Sequence, residues 1–294
     1  MKQKTVNEYI KELYGGKLYK VSINAGFTCP NRDGTLGNRG CIFCSGQGSG
    51  DFAENPEKSV TEQIELGKKR VEAKMGANPV GYIAYFQAFT NTYGSIDKLR
   101  RAYLEAAENK DIRIISIATR PDCLGEEVLS LLSEINRIKP VWVELGLQTI
   151  HEKTATYIRR GYPLQVYDRA VKELRARGLE VITHVILGLP YETREEMLET
   201  VKYVGESGAT GIKLQLLHVL KGTDLAEEYQ KGKFKCLTLE EYVSLIKDAL
   251  ELLPEDIIIH RMTGDGDKKI LIAPLWSADK KKVLNTLKKA LVAD

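Results

Sequence analysis

The chain has 294 residues, 43% hydrophobic and 28% charged, ordinary values for a globular protein long enough to bury a full core. Its 43 basic residues against 40 acidic ones leave a net charge of +3, which does not by itself announce a nucleic-acid binder. No apolar run reaches the roughly 20 residues of a membrane span, and MKQKTVNEYIKELYGG carries no apolar stretch of a secretory signal, so a cytoplasmic protein with no membrane partner is expected.

In chain order, strands are expected over Leu18–Asn24, Val80–Gln87, Ile112–Thr119, Val141–Gln148, Glu180–Gly188 and Gly211–Val219. Several are almost continuously apolar, as strands buried on both faces are. Amphipathic helical stretches follow them: VTEQIELGKKRVEAKM, IDKLRRAYLEAAEN, EEVLSLLSEINRI, VYDRAVKELRARG and REEMLETVKYVGESG. Strand alternating with helix predicts a parallel sheet with right-handed crossovers. Beyond the sixth strand, TLEEYVSLIKDALELLP reads as a helix, DIIIHRM as a further strand and SADKKKVLNTLKKALVAD as a closing helix. The expected division is an N-terminal segment 1–17, a core 18–225 and a short C-terminal α/β extension 226–294.

One interval breaks the rhythm. Later strands recur every 30–40 residues or so, the size of a βαβ unit, but the first interval is nearly twice that. The excess, residues 25–50, contains CPNRDGTLGNRGCIFC, with Cys29, Cys41 and Cys44 spaced C-x11-C-x2-C. It follows the first strand, so it lies at the C-terminal edge of the sheet, where parallel α/β folds place their chemistry. Two readings are open. One is a structural zinc site completed by a distant ligand such as His151 or Cys236. The other is a [4Fe–4S] cluster on three thiolates, which leaves one iron an open position. Cys123 and Cys236 stand alone and are expected to be buried or spare thiols.

The cysteine loop, with Phe43 before its last cysteine and a six-fold β/α array behind it, resembles the cluster loop of the radical S-adenosylmethionine (SAM) superfamily. Its first gap is longer than that family's usual C-x3-C-x2-C. The resemblance implies an α/β fold, a partial (β/α)6 TIM-like barrel over 18–225, with Cys29, Cys41 and Cys44 as ligands and catalytic centre. It implies two cofactors, the [4Fe–4S] cluster and SAM, whose amino and carboxylate groups chelate the open iron. Reductive cleavage of SAM then gives methionine and a 5′-deoxyadenosyl radical that abstracts a substrate hydrogen atom.

The strand ends extend the likeness. After YFQAFTNTY, Gln87, Thr90 and Asn91 offer acceptors for the SAM amino group, or make an ordinary polar turn. In SIATRPDCL, Arg120 would meet the methionyl carboxylate and Thr119 the ribose, while Asp122 would serve as a helix cap. By strand parity Glu144, Gly146 and Gln148 share a face, and polar groups on so apolar a strand need partners. VWVELGLQ with IRRGY resembles a segment of oxygen-independent coproporphyrinogen oxidases and the Elongator catalytic subunit, implying that Glu144, Gln148 and either Arg159 or Arg160 contact SAM, the other arginine being solvated. LGLPYET resembles the family's GLPGET element and would set Gly188 and Leu189 near adenine, or be a plain strand–turn–helix capped by Thr193. His184 is either a satisfied core histidine or a substrate contact. Lys213 and Gln215 share a face toward the substrate, with Lys221 at the strand end. In HRMTGDG, Arg261 would reach a phosphate and Asp265 a ribose, or the segment is a simple turn.

Over its whole length the chain resembles the MnmL (YtqA/YhcC-like) branch of Elongator-like proteins. That implies action on the carbon-5 side chain of wobble uridine in tRNA, converting 5-carboxymethylaminomethyl to aminomethyl, with a low-potential electron donor such as a flavodoxin or ferredoxin. The basic runs DKKKVLNTLKKALVAD and GKKRVEAK, with Arg32 and Arg39, suit phosphates or are solvated faces. Two alternatives stand beside it: a small substrate such as a porphyrinogen, and a non-catalytic, metal-stapled RNA-binding protein.

Overall fold

The structure is a computed structural model that describes residues 1–46, 48, 54–75, 79–264 and 266–292, without the side chain of Met75. Residues 47, 49 and 50 of the cysteine loop, and Asp265, lie outside the described residues. Six strands match the expected array: β1 Leu18–Ile23, β2 Gly81–Phe86, β3 Ile112–Thr119, β4 Val141–Gln148, β5 Glu180–Leu187 and β6 Gly211–Leu216. GIKLQLLHV does not continue as one strand. The Leu217 amide still bonds the Leu187 carbonyl. The chain then leaves the sheet, and a short strand, β7 Val219–Leu220, pairs antiparallel with residues 271–273. DIIIHRM supplies β8, Ile258–Arg261, and β9 is Leu271–Ala273. β8 joins β6 in parallel, so the sheet has seven strands in the order β1-β2-β3-β4-β5-β6-β8, curled into a half-barrel. The seventh comes from the extension, which the six-fold reading had kept apart.

The helices are α1 Val6–Tyr14, α2 Val60–Met75, α3 Ile96–Glu108, α4 Glu126–Ile138, α5 Glu152–Tyr157, α6 Leu164–Ala176, α7 Arg194–Glu206, α8 Asp224–Gln230, α9 Leu239–Leu252 and α10 Lys280–Val292. None among the described residues is long and apolar enough to cross a membrane. Thr193 and Glu196 form a reciprocal capping box at the start of α7. Thr193→Ala is expected to cost about 1 kcal/mol, read as a lowered urea midpoint with an unchanged slope.

Side chains of alternate parity fill the lumen in layers, as in closed barrels. The lowest layer is apolar: Leu18, Ile83, Ile114, Trp142 and Ile182 form one buried cluster, plugged by Ile10 of α1. Gly211 leaves room there for His260, whose ring would come within 2.6 Å of any Cβ at that position. The N-terminal segment also covers the exposed edge of β8: the Ile259 amide bonds the Lys4 carbonyl at 2.9 Å. The apolar cluster and Ile10 thus close the base of the half-barrel.

Candidate active site

Above the apolar layer lies a charged one. Glu144 of β4, 1% exposed, accepts from four donors. Ser116 Oγ at 2.7 Å and Lys20 Nζ at 3.2 Å reach Oε1, while His184 Nε2 at 2.7 Å and Lys213 Nζ reach Oε2. Burial works to raise the Glu144 pKa, but Lys20, Lys213 and the His184 hydrogen bond prevail and hold the carboxyl well below the ordinary range. Burial pulls the Lys213 ammonium well down from its usual value, against the attraction of Glu144. Burial, then Lys213, lowers His184 to about 4, so its ring is neutral near pH 7. Nε2–H then points to Glu144, and Nδ1 accepts from Gln215 Nε2 at 3.2 Å. His184 is thus both a satisfied histidine and part of the cavity wall. Tyr85 lies beside both lysines, with Lys20 Nζ 4.5 Å and Lys213 Nζ 4.8 Å from its ring centroid.

The cysteine loop roofs this lumen. Ile42 packs with Ile158, Ile186, Leu189, Leu217 and Leu225, and Phe43 joins that cluster. The two apolar residues between Cys41 and Cys44 therefore fix both cysteines. Polar ties complete the anchoring. Asn31 Nδ2 donates to the Arg159 carbonyl at 2.7 Å and lies 3.6 Å from Cys41 Sγ, and Arg32 donates to the Ser45 carbonyl at 2.6 Å. A hydrogen bond from Cys44, then Arg120 and Asn31, overcomes burial and lowers Cys41 to about 6, while that same bond and burial push the Cys44 thiol well above its usual value.

Between roof and floor is a cavity of about 420 Å³ lined by Cys29, Cys41 and Cys44. Gln87, Thr90, Thr119, Arg120 and Gln148 line it at the rim, and Glu144, His184, Lys213, Gln215 and Arg261 line it lower down. Arg120 is held at the wall by a bidentate pair with Asp122, at 2.9 and 2.7 Å. Asp122 therefore braces the arginine, and the N-cap of α4 is Gly125, with no side-chain hydrogen bond. Thr119 Oγ1 lies 2.5 Å from Thr92 Oγ1. Gln148 has φ +70°, rare for a side-chain-bearing residue, and its buried Oε1 finds no hydrogen-bond partner among the described residues.

Five expected contacts fall outside the cavity lining. Asn91 donates to the Ala118 carbonyl and ties β2 to β3. Arg159 turns to Asp224 and to the Gly40 carbonyl, clamping the cysteine loop to α8. Gly188 packs against Leu237 with φ +90°, and Leu189 belongs to the apolar cluster. Lys221 is exposed beyond the rim. Nor is either adjacent arginine simply solvated: Arg160 is 2% exposed and donates to the Thr149 and Tyr162 carbonyls and to Glu152. Lys20, Ser22 and Tyr85, by contrast, line the cavity without having been expected there. The alternation in LYKVSI, with Lys20 and Ser22 on one face, carried that signal.

Among the described residues no group of three or more His, Cys, Asp or Glu side chains is placed to hold a metal ion. Cys29, Cys41 and Cys44 line one cavity, and a side-chain hydrogen bond joins Cys41 and Cys44.

Comparison with known proteins supplies the family. The chain matches the Radical SAM superfamily over residues 34–204 and the Radical_SAM C-terminal domain over residues 209–293. It is 45% identical to the uncharacterized protein YtqA of Bacillus subtilis (strain 168), over 98% of this chain and 88% of that one. It is 26% identical to the tRNA uridine(34) acetyltransferase of Methanocaldococcus jannaschii, over 57% of this chain and 31% of that protein. In fold it is similar to the archaeal Methanocaldococcus infernus Elp3 with an N-terminal deletion, with a TM-score of 0.69 and 18% identity, covering 93% of this chain and 63% of that one. The chain belongs to the radical SAM superfamily and is an enzyme whose cofactors are a [4Fe–4S] cluster and S-adenosylmethionine.

Proposed function

We propose that Cys29, Cys41 and Cys44 hold the [4Fe–4S] cluster and that the enzyme removes the carboxymethyl group from 5-carboxymethylaminomethyl-uridine at the tRNA wobble position, in the cytoplasm, its methylene being oxidised to an imine, with SAM as the two-electron acceptor, and water then releasing the aminomethyl form and glyoxylate. The observation that carries the cofactor assignment is the cavity itself: three thiols on its roof, and a rim that still has polar capacity to give. Gln148 Oε1, buried and without a partner, suits a ribose hydroxyl or an ammonium group. Arg120, braced by Asp122, suits a carboxylate. When bound, the two cofactors supply a 5′-deoxyadenosyl radical for hydrogen abstraction. The chain's own residues do the rest. Ile42 and Phe43 fix the cysteines, the apolar layer and α1 keep water from entering below, and Glu144 holds Lys20, Lys213 and His184 in register. A flavodoxin or ferredoxin would deliver the electron.

Support for tRNA comes from similarity to a protein named for uridine 34, from Arg39 beside the roof, and from the lysines of α10. The test is mass spectrometry of wobble nucleosides. Bulk tRNA from a strain lacking this gene should accumulate carboxymethylaminomethyl-uridine, and reconstituted enzyme with SAM and dithionite should convert it to the aminomethyl form. An unchanged nucleoside under conditions that yield 5′-deoxyadenosine would reject the tRNA assignment.

A further inference from the structure

Among the described residues that line the lumen, Glu144 is the carboxylate, and Lys20, Lys213 and Arg261 bring positive charge. Glu144 is saturated, with two donors on each oxygen, and Lys213 is sealed beside it with its side chain 2% exposed. Lys20 differs: its side chain is 29% exposed and it lines the cavity. Its ammonium shares Glu144 Oε1 with Ser116 and lies 4.5 Å from the Tyr85 ring centroid. Arg261 adds a guanidinium to the same cavity wall. Lys20 is thus the lysine of the pair that the cavity reaches, and a carboxylate seated there would accept a charge-assisted hydrogen bond from it.

We infer that Lys20 seats a carboxylate of the substrate, so that the enzyme selects a side chain ending in a carboxymethyl group and lets go of the amine left behind. The identity of the carrier, a modified uridine, rests on the function proposed above; the seat does not. Lys20 lies three residues before the end of β1, so it is about 10 Å below the rim, whereas the methionyl carboxylate of SAM must stay at the roof with the cysteines. The product fits the same logic. Loss of the carboxymethyl group leaves the ammonium without its carboxylate, and like charges then repel it from Lys20.

The experiment is calorimetric titration of reconstituted holoenzyme with SAM, using two acid–amide pairs: 5-carboxymethylaminomethyluridine with its carboxamide, and N-methylglycine with its amide. The acid should bind at least about tenfold tighter than the amide, as a charge-assisted hydrogen bond allows, and Lys20→Gln should bring the two within about twofold. Lys20→Arg should keep the preference. Preference within the glycine pair while neither uridine binds would support the seat and overturn the uridine. Equal affinity of acid and amide in the unaltered enzyme, or no binding of either pair, would overturn the seat. So would Lys20→Gln losing SAM affinity while still telling acid from amide, since that assigns the lysine to the cofactor.

Discussion

Replacing Cys29, Cys41 or Cys44 with alanine is expected to drop 5′-deoxyadenosine formation to background and to lower the iron and sulfide bound per chain after anaerobic reconstitution. Cys123→Ala and Cys236→Ala should retain both. The contrast follows from placement. The first three thiols line one cavity, two of them fixed by Ile42 and Phe43 and by the Arg32 and Asn31 hydrogen bonds. Burial and nearby Asp122 push the Cys123 thiol up to about 12, and burial pushes Cys236 up to about 11. Neither of these two thiols is among the residues that line the cavity. Product formation surviving the loss of Cys41 would refute the ligand set.

Glu144→Leu should destabilise the protein by about 3–5 kcal/mol, because it leaves the buried Lys213 and the half-buried Lys20 without their counter-ion. Adding Lys213→Met should recover part of the loss, since removing both members of a buried pair costs less than removing one. Denaturant titration of the two single variants and the double variant gives the coupling directly, and strict additivity would contradict the network described. Acid should act in the same direction. Folding lowers the Glu144 pKa, so its stabilisation is full above the unfolded value of about 4.3 and fades as pH falls through the folded value. His184, held to about 4, loses stability as pH falls from about 6.5, because the unfolded ring takes up a proton first.

Periodicity sufficed where packing is regular. Ile112–Thr119 and Val141–Gln148 are strands as read, and EEVLSLLSEINRI is α4 to the residue, because two-sided burial and a single apolar face write period 2 and period 3.6 plainly. Strand parity also placed Glu144 and Gln148 on one face, as it did Lys213 and Gln215, and each pair lines the cavity. Legibility fails where the chain leaves the sheet. Arg159 has φ +58° and Gly161 φ +83°, so no alternation tells which of two adjacent arginines turns inward. Gly188 likewise has φ +90° and lies against Leu237, and Leu189 after it packs into the apolar cluster of Ile42. The place of β8 beside β6 depends on a crossover through α8 and α9, a contact distant in sequence that local pattern does not encode. Lys20 becomes legible only with the lumen in view, since a lysine near the start of a strand otherwise looks like an edge charge.

The most direct measurement is Mössbauer spectroscopy of anaerobically reconstituted, iron-57-labelled protein before and after addition of SAM. Four irons per chain, one of which changes its isomer shift on adding SAM while three do not, is the predicted result. Four irons indifferent to SAM, or a preparation that retains zinc and takes up no iron, would contradict the account.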